Sequence, residues 1–422
     1  MRDADGDGYG DMNAPNGGVA GTDCDDTASA ITGEDIDGDG YRACDNDCDI
    51  EDPNTHPGAA ESESTDDCMR DADGDGYGDD TVEGDIVPGT DCEDDNPDAG
   101  PFDNDGDGFS ACEGDCDDTD PENTGQDLDG DGYSLCDGDA QDDNPAIAYV
   151  AANGATFSSI TSEEFSMGSP TLEVGRDGDE VLHQVYLTKD FLIMNHEVSQ
   201  GQFEELMGYN PSDFQQGAEY PVESVSWHEA AMFANRLSAE EDFQLCYSCT
   251  GTEAMTRCEE VLAPYNCSGF RLPTEAEWEY SVRAGSSSAI WTNNGGGDLL
   301  SSTDGNICEE IELSDGSALE DLAWYCGNTF PEPHLPAIKM PNSFYLFDMY
   351  GNVSEWVHDA YDSYDTELVY DPYTSAGDAR VIRGGSFNSR PSDLRSANRR
   401  SLDPLARQKQ IGFRLARTSP FE

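Results

Sequence analysis

The densest chemistry in the chain is a short unit, Asp-x-Asp-Gly-Asp-Gly followed by an aromatic residue, which starts at Asp3, Asp35, Asp71, Asp103 and Asp127. Carboxylates in its first, third and fifth places turn alternate side chains toward one hard cation. Glycine next to them allows the sharp turn, and the residue after it offers a carbonyl. The spacing makes calcium ligands of Asp3, Asp5, Asp7 and Asp11, of Asp35, Asp37 and Asp39, and of Asp71, Asp73, Asp75 and Asp79. It adds Asp103, Asp105 and Asp107, and Asp127, Asp129 and Asp131. The glutamate that closes a helix-flanked calcium loop at its twelfth place is missing. Four copies instead put an acid in the thirteenth, at Asp47, Glu83, Asp115 and Asp139, so ligation differs from that of an EF-hand.

A second concentration of reactive groups is RGGSFNSRPSDLRSANRR, Arg383 to Arg400, where five arginines stand against Asp393 alone. Arg390, Arg395, Arg399 and Arg400 suit an anionic ligand such as a sulfated glycan or a peptide carboxylate. They suit the chain's own abundant acids as well, and internal pairing is the favoured reading.

The chain that carries these groups has 422 residues and a formal net charge of −71, unevenly spread. Residues 1–150 hold 48 acids against three arginines and no lysine. Such an excess repels nucleic acid and anionic membranes, and it holds a segment open unless cations neutralise it. A composition so poor in apolar residues also fits a disordered acidic tail, but its order argues otherwise. MRDADGDGYGD recurs at Met1 and Met69, and TDC at Cys24 and Cys92, both 68 residues apart. Cys24, Cys44, Cys48 and Cys68 are spaced 20, 4 and 20, as are Cys92, Cys112, Cys116 and Cys136. Residues 1–148 thus form a repeat region of two 68-residue duplicates. Its first residue falls mid-array, so the natural chain is expected to extend further N-terminally and to carry a secretion signal there.

Fourteen cysteines, an even number, suit an oxidising compartment and a secreted or cell-surface location. Zinc at Cys44-x-x-x-Cys48 is a competing use, but the surrounding ligands are hard carboxylates that suit calcium better. Pairing among these cysteines is left open by spacing alone. No apolar run reaches the roughly 18 residues of a membrane span. The phrases DCDIEDPNTHPGA (Asp47 to Ala59) and DCDDTDP (Asp115 to Pro121) are similar to thrombospondin type 3-like and related cysteine-containing metal-binding repeats of bacterial secreted proteins. That resemblance implies an extended calcium-binding repeat array, with ions and disulfides in place of a core. So few large apolar side chains bury too little area to offset chain entropy of roughly 1–2 kcal/mol per residue.

From about Ala146 the composition becomes ordinary, and residues 149–422 read as a large, irregular α+β domain. Glu180 to Val198 contains strand-like apolar runs. Helical spacing follows over Val198 to Met207, Ser226 to Glu241 and Arg271 to Gly285, with Ser199, Ser226 and Thr274 as N-caps and Glu277 in capping-box position. FSMGS, HEVSQGQF, YPVESVSWHEAAMFANRLS, RLPTEAEWEYSVRAG, AWYCGNT, PNSFYLFDMYGNVSEW, RVIRGGSF and IGFRLAR occur in this order between Phe165 and Arg417. These phrases resemble the formylglycine-generating enzyme, or sulfatase-modifying factor, family. The fold implied is that family's irregular, C-type-lectin-related fold, low in regular secondary structure. The resemblance also implies structural calcium held by Asp348 and Glu355 side chains and the Gly351 and Val353 carbonyls. A second site would begin at Asn306 and Ile307, with Asp321 as partner.

Enzymes of that family bind Cu(I) through two cysteines shortly after the GGS phrase, because soft thiolates hold the ion that activates oxygen. Here the first position aligns with Ser389 and the second falls near Asp393 or Leu394; no cysteine follows Cys326. A serine hydroxyl is a hard, neutral ligand that does not hold Cu(I), so copper is not expected. Cys246-x-x-Cys249 reads as a redox or metal pair or, with Cys258 and Cys267, as a disulfide-pinned loop, which is favoured. Cys308 and Cys326 pair most simply with each other, and the six histidines show no metal-ligand spacing. Sulfoxide synthases share this domain, but nothing like their histidine-bearing iron domain is present. The expectation is a secreted calcium-binding chain whose second domain serves binding. Its cleft would be marked by Ser386, Arg390 and Arg395, and its partner would be an extracellular protein, a peptide or an anionic glycan. The competing expectation is a formylglycine-generating oxidoreductase acting on a cysteine of a target protein.

Overall fold

The computed structural model describes residues 35–42, 45–82, 84, 86–97, 99–106, 108–121, 126–130, 134–137, 144–329 and 331–419. Asp3, Asp5, Asp7, Asp11, Glu83, Asp107, Asp131 and Asp139 lie outside the described residues, as do Cys24 and Cys44. The chain divides into two units, Met1–Gln126 with Ser134–Cys136, and Asp127–Tyr133 with Asp137–Glu422.

In the first unit, strand β1 (Thr55–Pro57) pairs antiparallel with β2 (Cys68–Arg70), and most of the remaining described chain is turn and bend. Its described buried apolar side chains are Ala60 and Met69, too few for a core. Cross-links replace that core, since Cys48–Cys68, Cys92–Cys112 and Cys116–Cys136 each close a loop of 20 residues. A loop of that length restricts the unfolded chain by about 3 kcal/mol per bond. Local order comes from the first aspartate of each loop. Asp71 accepts from the amides of Gly74 and Gly76, as Asp35 does from Gly38 and Gly40, and Asp103 from Gly106 and Gly108.

The second unit is mixed, mostly sheet with few helices. One sheet orders β13 (Arg400–Leu402), β12 (Arg380–Arg383), β10 (Ser354–Ala360) and β14 (Ile411–Gly412), with β10 and β14 parallel. Another orders β15 (Ala416–Thr418), β7 (Phe191–Met194), β4 (Thr156–Ile160) and β3 (Tyr149–Val150). A third joins β11 (Val369–Tyr370), β6 (His183–Tyr186) and β5 (Glu164–Met167), and β8 (Tyr247–Thr250) and β9 (Arg257–Glu260) form a hairpin. Disulfides Cys246–Cys267 and Cys249–Cys258 pin that hairpin, so the C-x-x-C cysteines are not bonded to each other.

Helices α1 (Gln200–Met207), α2 (Trp227–Glu240) and α3 (Glu275–Arg283) start at Ser199, Ser226 and Thr274. In each, the cap hydroxyl accepts from the third helical amide while that residue's side chain returns to the cap amide, satisfying two orphan donors at once. Helix α3 is buried along its whole length, so every charge it carries needs a partner. Glu277 takes both Nη atoms of Arg271 at 2.7 and 2.8 Å, Glu279 holds Arg283 and Arg383, and Glu275 holds Arg399.

Breaking one such pair leaves an uncompensated buried charge. Glu277→Gln, which strands the fully buried Arg271, should cost about 3–5 kcal/mol in urea unfolding. Asp393→Asn, which removes the partner of the 61% exposed Arg400, should cost under about 1 kcal/mol. Tryptophan fluorescence reads this unit alone, since all five tryptophans lie in it. Equal losses in the two variants would refute the assignment.

Candidate functional site

Strand β12 delivers the chain to Gly384 and Gly385, whose φ angles of 85° and 71° lie in the left-handed region. Side chains are excluded here on two counts: a Cβ on Gly385 would stand 2.7 Å from Leu394, and one on Gly384 would stand 3.2 Å from Trp278. The turn that follows is tied by hydroxyls. The Ser386 amide donates to Ser389 Oγ at 2.9 Å, the two hydroxyls lie 3.3 Å apart, and the Asn388 amide donates to Ser386 Oγ. Ser389 O accepts from the Cys326 amide at 3.1 Å, beside the Cys308–Cys326 disulfide. Ser389 therefore acts as a turn lock. All six cysteines of the unit are bonded in pairs, so no thiol is available among its described residues.

Beside this turn lies a cleft of 190 Å³ whose walls include Ser354, Ser386, Ser389, Asn398, Arg400 and Gln410. Hydroxyl, amide and guanidinium groups share its surface with Ile382, Leu402 and Ile411, and the polar groups can exchange hydrogen bonds with polar or anionic partners. Arg383 also lines it but is buried, donating to Glu279 and to the carbonyls of Ser396, Ala397 and Asn398. Of the arginines marked by sequence, Arg395 is buried and donates to Glu173 and to both oxygens of Glu180, at 2.7 Å each. Arg399 is buried against Glu275. Arg390 contacts the Asn306 side-chain oxygen, and Arg400 alone of the four lines the cleft.

The second candidate is a buried group of acids: Asp348 on the turn before β10, Glu355 on β10 and Glu197 after β7. Asp348 and Asn352 have φ angles of 55° and 52°, and Gly351 packs so closely that a Cβ would stand 1.9 Å from Trp324 O. Arg414 takes both oxygens of Glu355 at 2.7–2.9 Å, and Trp278 Nε1 donates to the same carboxylate at 2.8 Å. No such compensation reaches the others. Asp348 Oδ2 accepts from the Ala337 amide at 2.7 Å while Oδ1 is buried without a hydrogen-bond partner. Glu197 Oε1 meets the Val353 amide at 3.4 Å, and its buried Oε2 has none. Burial, backed by the neighbouring charge, pushes the Asp348 carboxyl up to about 6 and the Glu197 carboxyl well above the usual range. Two buried acids short of donors, next to a turn that carries Gly351 and Val353, are an oxygen set that suits calcium.

Asn306 ends a single 3₁₀ turn, Asp304–Asn306, with Ile307 after it, and its side-chain oxygen is taken by Arg390. Asp321 ends another turn, Leu319–Asp321, and its carbonyl accepts from Met340. Glu197, a single glutamate between His196 and Val198, had no periodicity to mark it.

In the N-terminal unit the structure draws ligand atoms within 4.8 Å of one another in three loops: Asp35, Asp37 and Asp39; Asp71, Asp73 and Asp75; and Asp103 and Asp105 with Asp118. Asp47 lies in the field of Asp37 and Asp39, and Asp115 sits with Cys116 and Cys136. In the segment assigned to the second unit, Asp127 accepts from the Gly130 amide, with Asp129 two residues on. Asp79 is turned to Arg70 at 2.9 Å. Asp118 and Asp91 were not foreseen from the loop spacing.

A glycine-tied turn after a central strand, a hydroxyl-lined cleft and the acidic turn before β10 define a domain of the formylglycine-generating-enzyme type. Residues 148–419 match the sulfatase-modifying factor enzyme 1-like domain, and the chain belongs to that family. It is 28% identical over 225 residues to a chaperone protein, LppX, of Paenibacillus barcinonensis, covering 47% of this chain and 70% of that one. It is 33% identical over 162 residues to the formylglycine-generating enzyme of Streptomyces coelicolor, covering 35% of this chain and 46% of the enzyme, less than half its length. Among solved structures it resembles Treponema denticola variable protein 1, with a TM-score of 0.51 and 26% identity over 63% of this chain and 95% of that one.

The acidic turn generates a pH dependence. With calcium chelated, the folded-state pKa of Asp348 lies above its unfolded value, so the unfolded chain ionises first. The stability this carboxyl contributes is full below about pH 4 and falls as pH rises through about 6. Thermal unfolding in chelator should thus show a lower midpoint at pH 7 than at pH 5, and Asp348→Asn should flatten the dependence. An unchanged slope in that variant would assign the loss elsewhere.

Proposed function

We propose that this is a secreted, calcium-binding protein whose formylglycine-generating-enzyme-like domain serves binding and not oxidation. The observation that carries the reading is Ser389. It stands where the family resemblance calls for a copper thiolate, its hydroxyl is committed to the turn, and every cysteine of the unit is committed to a disulfide. The residues present do not fit copper, and no oxidative step is derived through it.

Calcium suits the remaining donors. Asp348 and Glu197, with the carbonyls of Gly351 and Val353, would hold an ion that steadies the turn before β10. The aspartate loops would hold several more, replacing a core in the N-terminal unit. The disulfides support an oxidising, extracellular setting. The cleft beside Ser386 offers hydroxyls, side-chain amides and Arg400, which suits an extracellular protein, a peptide or an anionic glycan. The Paenibacillus relative is named a chaperone protein, which supports the same direction.

The alternative, a formylglycine-generating oxidoreductase, rests on family membership and on the likeness to the Streptomyces enzyme. Incubation with Cu(I), oxygen and a peptide bearing Cys-x-Pro-x-Arg separates the two. Mass spectrometry should find the cysteine unchanged after turnover times sufficient for an active enzyme, and conversion of the thiol to an aldehyde would overturn the binding reading.

A further inference from the structure

The carboxylate that completes the aspartate loop starting at Asp71 is one that counting along the loop does not reach. Asp79 is already engaged: Oδ2 accepts from Arg70 at 2.9 Å, and Oδ1 accepts from the Thr81 amide and hydroxyl, both at 2.7 Å. Downstream, the chain returns across the loop. The Gly89 amide donates to Asp79 O at 2.9 Å, and the Asp91 amide to Gly78 O and the Asp80 amide to Asp91 O, each at 2.9 Å, so that Asp79 and Asp91 form a parallel β-bridge. Only glycine allows this approach, since a Cβ at position 89 would stand 2.1 Å from Gly78 O.

This return leaves Asp91 wholly buried. Its Oδ1 accepts from the Glu93 amide at 3.0 Å, and its Oδ2 is buried with no hydrogen-bond partner. Asp71, Asp73 and Asp75 place ligand atoms within 4.8 Å of one another, and Asp91 places its own beside Cys92 and Cys112. The β-bridge to Asp79 and the Ala72 amide, which donates to Asp94 at 2.9 Å, hold this segment against the loop, where the charges of Asp75, Asp73 and Asp71 act on Asp91. Asp73 and Asp75 repeat the pattern, each with one oxygen on a backbone amide and the other buried without a partner. Unpartnered, solvent-shielded carboxylate oxygens gathered in this way repel one another unless a cation lies among them.

We propose that Asp91 is the closing ligand of a calcium site formed with Asp71, Asp73 and Asp75, and that the adjacent Cys92–Cys112 disulfide holds it there. This rests on the reading of the aspartate loops as calcium sites and supplies the ligand that reading lacked. The device recurs. Asp47 and Asp115 also precede a disulfide-bonded cysteine, at Cys48 and Cys116, and each accepts through Oδ1 from the amide two residues on, at 3.0 and 2.9 Å. The cross-link and the ion are thus parts of one repeating unit.

Calorimetric titration of the full chain with calcium, after chelation, tests this. Asp91→Asn should lose one binding event or weaken it by about tenfold or more, since affinity follows ligand charge and site rigidity. Asp79→Asn should titrate like the unsubstituted chain, and the paired Cys92→Ser, Cys112→Ser variant should weaken the event that Asp91→Asn removes. Calcium should also slow hydrogen exchange of a peptide spanning Gly89 to Glu93 in the unsubstituted protein, a readout independent of how any variant folds. Normal titration by Asp91→Asn, loss of the event in Asp79→Asn, or unaltered exchange despite calcium binding would overturn the assignment while leaving calcium binding itself intact. An unsubstituted chain that binds no calcium would overturn both.

Discussion

The guanidinium of Arg414 is the tie on which the C-terminal unit depends. Fully buried, it takes both oxygens of Glu355 on β10 and donates to the carbonyls of Met194 at the end of β7, of Asn195 after it and of Phe347 before the acidic turn. A buried ion pair offsets its desolvation only when all its remaining donors and acceptors are met. Here they are met by backbone that this one side chain gathers from two distant segments. Trp278 closes the arrangement from α3, so that helix, strand and loop share a single electrostatic centre. Arg271, Arg383, Arg395 and Arg399 each face glutamate too, although the Nε atoms of Arg271 and Arg383 are buried without a partner.

That pattern has a limit at Glu197 and Asp348. Arg414 is committed to Glu355, and among the described residues no second cation pairs with the two neighbouring acids, each of which keeps a buried oxygen without a partner. The N-terminal unit meets the same difficulty in a harsher form. It has acids in abundance, almost no apolar interior and only three arginines in residues 1–150. Disulfides restrict the chain there, and the loop aspartates place one oxygen on backbone amides while turning the other inward. In both units, calcium is the compensation that the proposed function supplies.

What could be read in advance was local. The starts of α1, α2 and α3 are written in Ser199, Ser226 and Thr274, because a cap needs only its own hydroxyl and the residue three places on. The GGS turn and its missing thiol could be read because the phrase is contiguous. Features built across distance could not. Glu197 meets the Val353 amide 156 positions later, and parallel pairing of β10 with β14 joins Ser354 to Ile411. Asp79 looked like a ligand because it lies at the right count along its loop, but Arg70 takes it and the return through Gly89 brings Asp91 instead. The arginine-rich segment also divides in space: Arg395 and Arg399 turn inward to glutamates, and Arg400 faces the cleft.

The central proposal is that this member of the family binds calcium through its carboxylates and holds no copper. Native mass spectrometry, with the chain exposed in turn to calcium and to Cu(I), addresses it most directly. The account predicts several calcium ions per chain, stripped by a chelator, and no retained copper. A single tightly held copper, or a mass unaltered by calcium, would contradict it.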